Sequence, residues 1–181
     1  MEIGLIGGVE GRKIEIVDYD PRWPEVFREQ SRAIVAALGD SALRIEHIGS
    51  TSVPGLAAKP IVDILLVVPD AANEADYLPR LEAAGYRLRV REPDFHEHRM
   101  FRTPSLDVHI HVFSPGSPEI TRYLAFRDRL RTSVPDRERY ERKKRELAAR
   151  SWSDMNAYAD AKSEVVEDII AAALAANGPS C

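Results

Sequence analysis

Apolar and polar positions change their spacing along the chain. Short apolar runs dominate between residues 44 and 113, and helical spacing takes over from residue 119. The densest run, Ile61 to Val68, is almost entirely Ile, Val and Leu, the pattern of a central strand covered on both faces. Arg44 to Ile48 predicts a strand just before it. Tyr86 to Arg91 sets Tyr, Leu and Val against Arg, as a half-buried strand does, and His98 to Arg102 predicts another. Leu106 to Phe113 alternates strictly. Leu106, Val108, Ile110 and Val112 share one face, and Asp107, His109 and His111 share the other.

Ahead of these strands, Ile14 to Val17 reads as a short edge strand, followed by a helix to about Leu38. Asp20 stands where its N-cap belongs, Pro21 takes the first helical position, and Gly39 ends it. Its apolar stripe is Trp23, Phe27, Ile34 and Leu38. Pro69-Asp70 opens a second helix to about Ala84. Three more are expected after the sheet: Glu119 to Thr132, Asp136 to Arg150 and Asp154 to Ala176, the last two with their aspartates as N-caps. Met155, Tyr158, Val165, Ile169 and Leu174 would form the inward face of the last. The pattern predicts one α+β domain over residues 14–176, a mixed sheet first and a helical half packed on it. An irregular glycine-rich leader (1–13) and a tail (177–181) flank it. Gly7-Gly8 with Gly11 fits neither the dinucleotide nor the Walker phosphate-loop spacing.

A chain of 181 residues is long enough for a full core. The net charge of −4 argues against broad nucleic-acid binding and leaves room for a local basic pocket. No apolar run approaches the roughly 20 residues that cross a membrane. The first residues lack the basic start, apolar stretch and cleavage site of a signal peptide. The single cysteine, Cys181, rules out an intrachain disulfide or a cysteine-rich zinc site. The expectation is a cytoplasmic, soluble protein.

Two features break the apolar logic of the sheet. Asp63 places a carboxylate inside the densest strand, where its charge needs a partner. Gly49-Ser50-Thr51-Ser52 puts a glycine and three hydroxyls directly after the preceding strand, a composition suited to phosphate. Lys59 lies between the two and could neutralise a phosphate or pair with Asp63. His109 and His111, two apart on one strand face, suit a shared metal ion, and the alternative is a solvated polar face. In the helical half Arg127 and Arg131 share a helix face, as do Arg139 and Lys143, while Lys162 points inward between Tyr158 and Val165. His96-Glu97-His98 resembles a fragment of a metal site, but its loop-like surroundings favour surface polarity.

The stretch HIGSTSVPGLAAKPIVDI resembles the signature of the GrpB family, which is similar to the nucleotidyltransferase superfamily. The resemblance extends from about Ile14 to Ala173 through YDPRWP, VHIHVF, AFRDRLR, YERKKRELAAR and YADAKSEVVEDI. It implies a nucleotidyltransferase-like α+β fold and a nucleotide or other phosphorylated small molecule as ligand. Gly49 and Ser50 match the phosphate turn, and Asp63 matches one of the paired, magnesium-binding carboxylates. The partner two residues away is missing, since Ile61 and Leu65 flank Asp63. Where a third carboxylate is expected the chain has His109 and His111, with Asp107 on the same face. One aspartate and two imidazoles suit zinc or manganese better than magnesium. The residues read as completing the ligand pocket are Thr51, Ser52, Lys59, Arg127, Lys143 and Lys162. The activity implied is metal-dependent nucleotidyl transfer. The alternative is a non-catalytic nucleotide-binding or helper module acting with a protein partner, since related domains are fused to dephospho-coenzyme A kinase.

Overall fold

The computed structural model describes residues 4–7, 13–105, 107–151 and 155–178. Five strands form one mixed sheet: β1 (Arg44–Ile48), β2 (Val62–Val67), β3 (Arg87–Glu92), β4 (His98–Arg102) and β5 (Val108–Phe113), in the order β1-β2-β5-β4-β3. Only the β2–β5 pair is parallel. Its register sets Asp63 opposite His109 and Leu65 opposite His111. The helices are α1 (Trp23–Leu38), α2 (Leu78–Ala83), α3 (Pro118–Thr132), α4 (Val134–Ala148) and α5 (Met155–Ala176). Among the described residues, no helix is long and apolar enough to cross a membrane.

Strand alternation sorts the sheet into two faces. Val62, Ile64 and Leu66 of β2 join Val108, Ile110 and Val112 of β5 in the main core, with Ile34 and Leu38 of α1 and Leu81 of α2. The opposite face is divided. At one end Ile48, Leu65, Val67 and Phe113 are buried against Ile120, Tyr123 and Leu124 of α3. At the other end stand Asp63, His109 and His111. Helices α3, α4 and α5 share a second core, into which the β1–β2 connector inserts Val53 and Leu56, both fully buried. Burial of such side chains stabilises by roughly 1.5–3 kcal/mol each, so the connector is held between sheet and helices.

Several elements differ from the sequence pattern. Asp20 does not cap α1; its Oδ1 accepts from Arg22 N at 2.9 Å, and the helix starts at Trp23-Pro24. The segment Ile14 to Val17 contributes only a bridge between Val17 and Ala58. The helix expected from Pro69 is confined to Leu78–Ala83. Asp70 and Asn73 bond locally instead, to Ala72 N (3.0 Å) and to Asp76 (2.9 Å), which competes with helix formation. Pro79 is then tolerated because it falls in the first turn. Helix α4 is capped by Ser133, whose Oγ accepts from Asp136 N, and Asp136 pairs with Arg129. Leu174 is exposed, and Ile170 and Ala173 take the inward face. Residues 4–6, expected to be irregular, run along β3, with Arg91 N donating to Gly4 O and Ile6 N to Arg89 O, each at 2.8 Å. Gly8, Gly11, Leu106, Asp154 and the side chain of Met155 lie outside the described residues.

Candidate functional site

The parallel pairing of β2 with β5 creates the site. Asp63 Oδ1 lies 3.1 Å from His111 Nε2 and 3.8 Å from His109 Nδ1. The three potential ligand atoms lie within 4.8 Å of one another. Burial by itself would raise the Asp63 carboxyl, but the His111 hydrogen bond and the charges of His111, His109 and Lys59 hold it below the usual carboxylate range. Gly49 makes this packing feasible. Its φ of 71° and ψ of −173° belong to a region almost restricted to glycine, and a Cβ there would meet Asp63 Oδ2 at 2.9 Å. The glycine expected to let a phosphate approach is thus first required by Asp63.

Behind His111 stands His98, on β4. Its Nε2 lies 3.1 Å from His111 Nδ1, and its Nδ1 lies 2.7 Å from Glu92 Oε2. Burial above all, then His111 and Arg99, pushes the His98 pKa down to about 3, so the ring is neutral. Burial raises the Glu92 carboxyl, with His111 opposing. The sequence reading of His96-Glu97-His98 as surface polarity therefore fails for His98. His96 is exposed, and it and Glu97 adopt φ values of 53° and 54° in the turn that aims the next residue inward.

In front of the cluster lies a cavity of about 360 Å³ between the sheet and the helical half. Gly49, Ser50, Lys59, Asp63, His109 and Lys162 line it, as expected from the sequence, together with Lys144 and an apolar and aromatic wall including Tyr123, Phe126, Tyr140 and Val166. Lys144 is the residue the sequence did not single out. It is 2% exposed, donates to Ser50 Oγ at 3.0 Å and to the Ala57 carbonyl, and sits 4.7 Å from the centre of the Tyr140 ring. Burial, then the positive neighbours Lys162 and Lys59, lowers its pKa to about 7, against the opposing pull of Glu141. Lys59 and Lys162 both approach Tyr158, at 5.2 Å and 5.1 Å from the ring centre. Burial lowers the Lys162 amine too, and Asp63 partly offsets it.

Five other sequence candidates are occupied elsewhere. Thr51 Oγ1 is buried against His47 Nε2 at 2.9 Å, and Ser52 Oγ donates to Gly49 O at 2.5 Å, so both hydroxyls build the turn. Arg127 does not wall the cavity. It binds Glu46 at 2.7 Å and the His47 carbonyl at 3.2 Å, clamping α3 to β1. Lys143 faces away and pairs loosely with Glu146 at 3.8 Å. Asp107 is exposed and accepts from Thr103 and Ser105, tying the turn into β5 rather than joining the histidines. A signal for Lys144 existed, since Tyr140, Lys144 and Leu147 share the buried face of α4 at helical spacing. For His98 the local signal is the His96-Glu97-His98 spacing, weakened by the loop-like residues before it.

One carboxylate and two imidazoles with ligand atoms within 4.8 Å of one another are a donor set of the kind that could hold a divalent cation. Tetrahedral ligands at 2.0–2.1 Å from zinc stand roughly 3.3 Å apart, and the distances of 3.1 Å and 3.8 Å from Asp63 bracket that value. Ser50, Lys59, Lys144 and Lys162 line the cavity alongside.

Fold and site together define an α+β domain whose sheet carries an acid–histidine cluster beside a cavity lined by three lysines. The family model described as GrpB protein matches residues 13–172, and the chain belongs to that family. It is 54% identical over 157 residues to the UPF0157 protein BH1888 of Halalkalibacterium halodurans, covering 87% of this chain and 80% of that protein. The crystal structure of the conserved protein GrpB from Enterococcus faecalis matches with a TM-score of 0.82 at 32% identity, over 91% of this chain and 100% of that one. Part of a dephospho-CoA kinase of Mycolicibacterium paratuberculosis is 29% identical over 181 residues, 86% of this chain and 44% of that protein.

Proposed function

We propose that the chain binds a phosphorylated small molecule, with a nucleoside triphosphate as reference ligand, together with a divalent cation held by Asp63, His109 and His111. One observation carries the reading: Asp63 and His109 of the cluster and Lys59, Lys144 and Lys162 line one cavity, with His111 beside Asp63. Phosphate oxygens would accept charge-assisted hydrogen bonds from the lysines and a further one from Ser50 Oγ. Gly49 keeps the backbone of this turn close to Asp63 without a side chain between them. The wall of Tyr123, Phe126, Tyr140 and Val166 suits the flat, less polar part of such a ligand. A bound cation supplies charge neutralisation and polarisation of the phosphoryl group. The mixed donor set favours zinc or manganese over magnesium.

Nucleotidyl transfer to an acceptor is the reaction that the family resemblance implies. A second reading, a non-catalytic module that binds the ligand for a partner, is favoured by the single carboxylate in the cluster. Two-metal phosphoryl transfer uses several hard oxygen ligands. The likeness to part of a dephospho-CoA kinase supports the same reading.

Calorimetry with ATP in the presence of Mn²⁺ or Zn²⁺ tests the proposal. Wild type is expected to bind in a cation-dependent manner, and Asp63→Asn to lose at least tenfold in affinity with an unchanged circular dichroism spectrum. Undiminished cation-dependent binding by Asp63→Asn would make Asp63 a purely structural partner of the histidines. Pyrophosphate release from labelled triphosphate with any acceptor separates the enzyme from the module.

A further inference from the structure

His111 is the last member of a longer chain of polar side chains. His111 Nδ1 and His98 Nε2 are 3.1 Å apart, and His98 Nδ1 and Glu92 Oε2 are 2.7 Å apart. A neutral imidazole has one donor nitrogen and one acceptor nitrogen, so these bonds have only two self-consistent directions. Running toward Glu92, His111 Nδ1–H donates to His98, and His98 Nδ1–H donates to the carboxylate. His111 Nε2 then presents its lone pair on the side of Asp63 Oδ1, two acceptors 3.1 Å apart that need a cation between them. Running the other way, Nε2–H donates to Asp63 Oδ1, the hydrogen bond of the metal-free cluster, and that nitrogen cannot ligate an ion. The geometry leaves His98 little freedom to choose another partner. The ring is 7% exposed and is stacked on Phe113 (4.9 Å, 19° between planes) and on His111 (5.4 Å, 11°).

We propose that Glu92 and His98 are positioning residues for the cation: they hold His111 in its Nδ1–H form, so that Nε2 faces the ion with Asp63 and His109. The inference rests on the metal reading of the cluster given above. An ionised carboxylate can only accept, so Glu92 sets the direction of the whole chain from its outer end. Groups that orient a ligating imidazole in this way are worth roughly 10–100-fold in metal affinity. Here a second imidazole separates the carboxylate from the ligand, which lets a partly exposed glutamate on the edge strand act on an imidazole two strands away.

The test measures Zn²⁺ affinity by competition with a chromogenic chelator. In parallel, the tautomer of His111 in the zinc-loaded protein is read by long-range ¹H–¹⁵N correlation. His98→Phe keeps the ring stack and removes the acceptor, and Glu92→Gln keeps an accepting oxygen. Asp63→Ala reports on the cluster itself. Wild type is expected to bind zinc with His111 as Nδ1–H, and Asp63→Ala to lose binding. His98→Phe should bind 10- to 100-fold more weakly, and Glu92→Gln within a few-fold of wild type. Wild-type affinity in His98→Phe, with binding lost in Asp63→Ala, would overturn the positioning role and leave the metal site standing. Failure of the wild type to bind zinc, manganese or cobalt would overturn both. If His98→Phe does not fold, Glu92→Leu takes its place: wild-type affinity with an intact Nδ1–H form would equally overturn the proposal.

Discussion

Replacing Lys144 with methionine isolates the electrostatics of the cavity floor. The amine is 2% exposed, and its pKa falls from 10.5 to about 7 because burial, then Lys162 and Lys59, disfavour its charged form. A depressed lysine pKa means that the unfolded chain binds more protons than the folded one between pH 7 and 10.5. Stability therefore rises with pH across that window. At about 1.4 kcal/mol per pH unit, the gap corresponds to about 5 kcal/mol in total, and to about 2–3 kcal/mol between pH 7 and 9. Lys144→Met keeps the apolar stem and cannot titrate. Urea unfolding at intervals from pH 7 to 9, in low salt without phosphate, should show wild type gaining that amount relative to the variant. A bound phosphate reverses the cause of the shift by restoring a partner for the ammonium. Ligand affinity of the wild type should then fall up to tenfold per pH unit above 7, with proton uptake on binding visible as a buffer-dependent calorimetric heat. Parallel stability profiles for wild type and Lys144→Met would refute the reasoning.

Gly49→Ala should lower stability by about 1–3 kcal/mol, because its backbone conformation strains any other residue. Its Cβ also collides with Asp63 Oδ2. Chemical denaturation should show a smaller cost in an Asp63→Ala background, and an equal cost in both would exclude the close approach as a cause. Thr51→Val removes the partner of buried His47 and should cost about 1–3 kcal/mol while leaving ligand affinity unchanged by calorimetry. A substantial loss of affinity in Thr51→Val would return that hydroxyl to the binding site.

Much of the fold was legible because strand and helix periods are local properties of the chain. The run Ile61 to Val68 and the alternation Val108 to Phe113 each declare a strand and its faces without reference to anything distant. So does the anomaly of a carboxylate at Asp63 in an apolar run, which marks a place where charge must be answered. Elements whose own side chains compete for the backbone were less legible, as between Ala71 and Tyr77, where Asp70, Asn73 and the Tyr77 hydroxyl hold a turn in place of a helix.

What answers Asp63 was decided only in three dimensions. Nothing within β2 or β5 states that they pair in parallel, with α2, β3 and β4 intervening, yet that register brings His109 and His111 to the carboxylate. His98 reaches the same cluster from the far side of β5. The phase of α4 alone separates Lys144, inside the cavity wall, from Lys143, outside it. Arg127 and Thr51 looked like ligand groups by residue type, but partners elsewhere in the fold, Glu46 and His47, occupy them. A group of the right type serves a site only where the fold brings it to the cavity wall, and residue type alone does not reveal which neighbours the folded chain supplies.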